Sequence, residues 1–158
     1  MVAAPAQAPL VATFKGETSQ HRSVSMLVAP DGTVQRIRIR YSAPCRRRGY
    51  RFPNTMEVVP PFTASTPEAV TERLTLHEKL AGGGHTTQTV GVDAKRVTPT
   101  TWTGTFKTEA ILVKDKQWLD TCRLKRVTWK AKLVAQPRMA SPSSARAITS
   151  RWISLVPS

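Results

Sequence analysis

Cys45 and Cys122 are the only thiols in the 158-residue chain, and cations follow each of them: Arg46, Arg47, Arg48 and Arg51 after the first, Arg123, Lys125 and Arg126 after the second. Thiols can ligate metal, attack a carbonyl or pair with one another. Two of them, this far apart, are too few for a zinc ribbon, whereas an isolated pair in an exported chain ordinarily closes one disulfide. Two buried free thiols are the alternative. A bridge would hold the two Cα atoms within about 7 Å. It would therefore gather seven cations at one end of the molecule, and it would stabilise the fold by about 4 kcal/mol in the chain-entropy model.

Guanidinium groups bind phosphate or carboxylate in a planar fork that an ammonium cannot copy, and 15 of the 24 cations are Arg. Packed together they repel, so they splay into solvent or neutralise an acidic partner. Tyr50 and Phe52, interleaved with Arg51, add flat apolar surface. The chemistry implied is recognition of a polyanion rather than bond making. The bland counterpart is a solvated basic rim that discourages strand edges from pairing.

Other groups able to do chemistry are poorly arranged for it. His21, His77 and His85 lack metal-ligand spacing; His77 and His85 could meet across Gly82-Gly83-Gly84, but two ligands without a further set seldom make a site. Glu68, Glu72 and Glu78 crowd one stretch and suit a solvated face better than a pair of hydrolytic carboxylates. No serine sits in a nucleophile elbow, and the three glycines lack the phosphate-loop pattern. Neither a metal nor a cofactor is expected, and an enzyme is the less favoured class.

Charge separates the chain into thirds. Residues 1–60 hold nine basic and three acidic side chains, 61–120 seven of each, and 121–158 eight basic and none acidic, for a net charge of +14. Hydrophobic residues make up 40% of the chain, enough for a core, and no apolar run approaches the roughly 20 residues of a membrane-spanning helix.

The elements that must position these groups read as strands. Val11 to Lys15 and Ser23 to Ala29 are extended, the second with Val24, Met26 and Val28 on one face. Pro30-Asp31-Gly32 is a turn. Thr33 to Ser42 alternates Arg36, Arg38 and Arg40 with Ile37, Ile39 and Tyr41, which predicts a half-buried strand carrying an Arg ladder outward. That ladder joins the list of anion-binding candidates. Met56 to Phe62 is a further strand. Ser65-Thr66-Pro67-Glu68 has capping-box spacing, so one helical turn is expected before a hairpin around Gly82 to Gly84. Trp102 to Val113 and Cys122 to Val134 complete the set. Trp102 and Trp129 fall at inward parities, as core residues packing toward the bridge, while Trp118 is left partly exposed on a binding face. Along the last strand the apolar parity changes from Cys122 and Leu124 to Val127, Trp129 and Ala131, which predicts a β-bulge at Lys125-Arg126.

About seven short strands with turn signals between them indicate an all-β fold, an antiparallel β-sandwich or barrel over 11–135. Residues 1–10, beginning M-V-A-A-P-A-Q-A, have the small-residue character of the end of an export signal. Residues 136–158 form a Ser/Pro-rich linker and tail with helical spacing at Ala145, Ile148, Trp152 and Leu155.

F-K-G-E-T-S-Q at Phe14 to Gln20, the alternating strand after a D-G turn, a mid-chain Cys followed by Arg, and a late Cys leading into V-T-W-K-A together resemble small secreted β-rich proteins of actinobacteria. The resemblance covers roughly Phe14 to Leu133. It implies export and a Cys45–Cys122 disulfide, and no activity. The expectation is thus a secreted or cell-surface binding module engaging an anionic polymer or acidic protein surface, nucleic acid being a further polyanion. The alternatives are an assembly subunit held by strand edges or the tail, and a hydrolase.

Overall fold

The computed structural model describes residues 11–47 and 49–135. The expectations for residues 1–10, for Arg48 and for the tail 136–158 lie outside the described residues. Among the described residues nine strands run in order: β1 (Ala12–Thr18), β2 (Ser23–Val28), β3 (Val34–Pro44), β4 (Arg51–Val58), β5 (Ala64–Ser65), β6 (Ala69–Lys79), β7 (Gly84–Thr98), β8 (Thr101–Lys114) and β9 (Gln117–Ala135). They form one antiparallel sheet ordered β4-β3-β2-β1-β9-β8-β7-β6-β5. The long β9 closes the order by pairing with both β1 and β8.

The expected all-β class holds, with nine strands where the sequence suggested about seven. Much of the difference lies between Thr63 and Leu80, where a helical turn was expected. Thr66 does accept from the backbone N–H groups of Glu68 and Ala69, as an N-cap would. No helix follows, because Val70 pairs with Ser65 on one side and Ala94 on the other, and a residue already held in two ladders has no donor left for a helix. β4 also starts earlier than Met56. It takes in Arg51, Phe52 and Pro53, and Pro53 is tolerated because β4 lies at the edge of the sheet.

The sheet curls on itself. β3 and β8 are four positions apart in the ladder, which in a flat sheet would separate them by about 19 Å. Yet the rings of Tyr41 on β3 and Phe106 on β8 have centroids 4.8 Å apart, and Gln88 on β7 donates to the Tyr41 hydroxyl. The face turned inward carries the core, including Met26, Ile37, Ile39, Tyr41, Val92, Trp102 and Phe106. The turn between β2 and β3 abuts the turn between β5 and β6: a Cβ on Gly32, which has φ +89°, would lie 2.9 Å from the Cβ of Pro67. Glycine is thus required there both for its backbone and for the close approach.

Bulges set which side chains face outward. In β3, Val28 pairs with Val34 while Leu27 pairs with Arg36, so Gln35 is the extra residue and Val34 turns into the core despite sharing parity with the Arg ladder. In β9, Phe106 pairs with Val127 and Thr108 with Leu124, which is the bulge at Lys125-Arg126 that the parity change predicts. A second shift, with Leu112 opposite Asp120 and Val113 opposite Trp118, makes Leu119 an extra residue. It turns Trp118 outward, away from the parity of the buried Asp120 and Cys122. Trp102 and Trp129 are buried as expected. They do not pack toward the bridge, because Trp129 lies seven residues along β9 from Cys122, about 23 Å in an extended strand.

Candidate anion-binding site

The candidate site is created where β3 outruns its neighbours. The β1–β2 hairpin ends at a tip around Ser19 to Arg22, and Gln20 in that tip docks on β3 as a surrogate strand: its Nε2 donates to the Ser42 carbonyl at 2.9 Å and its Oε1 accepts from the Ser42 N–H at 3.1 Å. Past this point β3 reaches β9 directly. Cys45 and Cys122 form an antiparallel bridge and a disulfide, with Cα atoms 3.8 Å apart across a sequence separation of 77. The bridge sets Pro44 beside Arg123, and the Arg46 N–H donates to the Thr121 carbonyl at 3.0 Å.

A buried carboxylate fixes the loop that follows. Oδ1 of Asp120 accepts from the backbone N–H groups of Arg46 at 3.1 Å, Arg47 at 3.3 Å and Thr121 at 2.8 Å. The loop closes on itself through Cys45 N–H to the Tyr50 carbonyl and Tyr50 N–H to the Arg47 carbonyl. Its backbone is held, so the Arg46, Arg47 and Tyr50 side chains stay exposed. Arg51, one residue into β4, lies over β3: its Nε donates to Ser42 Oγ at 2.8 Å and its Nη2 to the Ser42 carbonyl at 3.1 Å. Because Arg51 pairs with Pro44 and Pro44 lies beside Arg123, these residues form one outward row, which continues to Glu109 on β8. Arg123 Nε is 3.6 Å from a Glu109 oxygen.

The disulfide therefore brings together Arg46, Arg47, Arg51, Arg123 and Tyr50. Lys125 and Arg126 stay exposed on the same outer face of β9, farther along the strand. The ladder of Arg36, Arg38 and Arg40 does not join them. It runs away down β3, the nearest member five residues from Cys45, about 16 Å, and Arg38 stands opposite Glu57 on β4. The sequence puts the ladder among the anion-binding candidates, whereas strand direction carries it away from the stapled end.

Gln20, Ser42, Asp120 and Glu109 escaped the sequence reading. Nothing in a sequence marks an aspartate two residues before a cysteine as an acceptor for a loop on another strand; the pairing of β3 with β9 had to be known first. The Cys45 and Cys122 sulfurs and an Asp120 oxygen lie within 4.8 Å of one another. With the sulfurs bonded to each other, only the carboxylate remains as a ligand, and its Oδ1 is committed to three N–H groups. His77 and His85 do come near each other, as residues opposite Thr87 and Lys79 on neighbouring strands. Both are exposed, and Nδ1 of His77 lies 3.3 Å from the Thr87 hydroxyl.

The Tyr41 hydroxyl, buried near this end, has its acidity displaced. Burial pushes its pKa above the usual phenol value, Glu78 adds to the rise, and hydrogen bonds with Gln88, Asn54 and Thr108 pull the other way. It is thus a neutral donor and acceptor that organises the interior.

Comparison with protein-family models, with curated proteins and with solved structures returns no match. The class assignable from the fold is a disulfide-bonded, all-antiparallel β protein of one curled sheet. No helix among the described residues is long and apolar enough to cross a membrane.

Proposed function

We propose that the chain is an exported, non-enzymatic binding module whose disulfide-stapled end engages an anionic polymer or an acidic surface. The observation that carries this reading is the pinning of the Arg46–Tyr50 loop against β9 by Asp120 and the Cys45–Cys122 bond, which sets Arg46, Arg47, Arg51 and Arg123 on one surface. Holding four like charges together opposes folding, and a polyanion relieves that cost. Export belongs to the same proposal, resting on the resemblance and on a disulfide that persists best in oxidising surroundings. The curled sheet is read as a barrel left open between its edge strands β4 and β5, with its basic end as the binding pole.

The test is retention on immobilised heparin as a function of salt. Reversing Arg46, Arg47 and Arg123 to Glu abolishes retention at physiological salt, whereas reversing Arg36, Arg38 and Arg40 leaves most of it. Equal elution of both variants refutes the site. A second reading, assembly through strand edges, is favoured by one observation: β6 pairs with β5 only at Val70 and Thr71, leaving most of its outer edge without a ladder partner among the described residues. Light scattering decides it. A monomer at high concentration excludes it.

A further inference from the structure

Outside the stapled end, the outer face of β6 to β9 carries a second concentration of charge. The bulge in β9 leaves two residues, Lys125 and Arg126, opposite the single Lys107 of β8. Lys107 pairs on its other side with Gly91 of β7, and Gly91 with Arg73 of β6. One cross-strand row therefore reads Arg73, Gly91, Lys107, then Lys125 with Arg126. Arg73 is neutralised by Asp93, Nη2 to Oδ2 at 2.8 Å. The side chains of Lys107, Lys125 and Arg126 are exposed and make no hydrogen bond or ion pair among the described residues. Like charges directly opposite each other destabilise a sheet.

Gly91 adds a structural reason for this row to be a site. The position a Cβ would occupy there lies 2.7 Å from Cε and 3.0 Å from Cγ of Lys107, and 3.4 Å from Nη1 of Arg73. Without a side chain at residue 91 the Lys107 stem lies down across β7. Beside this row runs a groove of about 470 Å³ lined by residues that include Arg73, Gly91, Lys107, Glu109, Arg123 and Lys125. Glycine inside a central strand is unfavourable unless something must approach closely.

From this groove the outer face continues along β8 and β9 to Trp118. Val113, opposite Trp118, is six residues from Lys107, about 20 Å, with the paired Arg123 and Glu109 and then Thr121 opposite Ile111 between. Trp118 is 49% exposed, and its Nε1 donates to the Thr121 hydroxyl at 2.7 Å, which holds the indole as an oriented flat surface. Thr87, Thr89 and Thr121 present hydroxyls on the same face.

We infer that this strip binds a linear acidic glycan, with Trp118 stacking on a sugar face at one end and the Lys107–Lys125 groove taking a sulfate or carboxylate group at the other. The inference rests on the proposed polyanion function and extends it to a substrate class and a second subsite. A single strand of nucleic acid is the less suitable occupant, because such sites offer aromatics to successive bases, whereas this strip has one aromatic, then hydroxyls, then Arg123 paired with Glu109, then the cations Lys107, Lys125 and Arg126.

The experiment measures binding of heparin-derived di-, tetra- and hexasaccharides by calorimetry at several salt concentrations, with oligothymidylate as the rival ligand. The tetrasaccharide is expected to bind the wild type at least tenfold more tightly than the disaccharide. Trp118→Ala should weaken it about tenfold, the order for one lost stacked ring, with the salt slope unchanged, and Trp118→Phe should restore most of the affinity. Lys107→Gln with Lys125→Gln should lower affinity and reduce the salt slope by about two. Thermal melting verifies that each variant is folded, and Lys107→Met, which keeps the stem over Gly91, stands in if the Gln variant is not. Unchanged affinity in both Trp118→Ala and the double Lys variant overturns the strip, as does Trp118-dependent binding of oligothymidylate tighter than that of the glycan. If Arg46 and Arg47 reversal still abolishes binding in that case, the pole reading survives alone; if no oligosaccharide binds the wild type, both fall.

Discussion

Two sets of arginines on β3 and its continuation make an instructive pair. Arg36, Arg38 and Arg40 lie within the strand, where pleating puts alternate side chains about 7 Å apart in a line and neighbouring strands supply company such as Glu57 opposite Arg38. Arg46, Arg47 and Arg51 lie where β3 has left β2 behind, and what holds them is a disulfide, a buried aspartate and Ser42 near the end of β3. The first set is spread by secondary structure. The second is concentrated by tertiary contacts, and the polyanion site we propose depends on that concentration.

That contrast breaks most visibly when the staple is removed. Cys45→Ala with Cys122→Ala should lower the unfolding free energy by about 4 kcal/mol for a loop of this length, read by urea denaturation. It should also shift heparin elution to lower salt while leaving the Arg36–Arg40 ladder intact. A variant of unchanged stability and retention would show that the arginines are gathered by something else.

Removing the acceptor comes next. Asp120→Ala leaves the Arg46, Arg47 and Thr121 N–H groups without their common partner and should cost about 2 kcal/mol. Asp120→Asn keeps one acceptor oxygen and should lose less. Amide hydrogen exchange of residues 46 and 47 should rise in both, with exchange in β3 around the ladder unaltered.

Tyr41 lies between the two sets, facing inward. Tyr41→Phe leaves Gln88 short of one partner and should cost about 1 kcal/mol at neutral pH. The sign of its pH dependence follows from the raised folded pKa. The wild type keeps the full contribution below the phenol's ordinary pKa near 10 and loses stability as pH rises through the higher folded value, because deprotonation is easier in the unfolded chain. The Phe variant should lack this alkaline loss. The smallest effect belongs to the turn that leads into the ladder. Backbone and side-chain hydrogen bonds from Thr33 hold the Asp31 carboxyl below its ordinary 3.8, so its contribution is present above that value and fades as pH falls below it. Asp31→Asn should flatten only the acid end of a stability profile.

Legibility in the sequence tracked the range of the interaction concerned. The β3 alternation, the turn at Asp31-Gly32 and the bulge at Lys125-Arg126 are local, and each is found where the residue pattern placed it. The helical turn at Ser65 to Glu68 failed because a local capping signal competed with two strand partners. The bulge at Leu119, which decides that Trp118 faces outward, left no parity signal, since only Gln117, Trp118 and Leu119 precede the buried Asp120 in β9.

The sequence by itself determined the all-β class, most strand faces, the disulfide pairing of the only two cysteines and a surplus of cations at both ends, because period-two burial, cysteine arithmetic and charge are properties of residues and near neighbours. Only the tertiary structure decided which cations meet. Bringing Arg51, Arg123 and the Arg46 loop together, sending the β3 ladder elsewhere, and lining Lys107 with Lys125 and Arg126 beside Gly91 all depend on which strand lies beside which. That order is fixed by burial of the whole inner face, and no short segment encodes it.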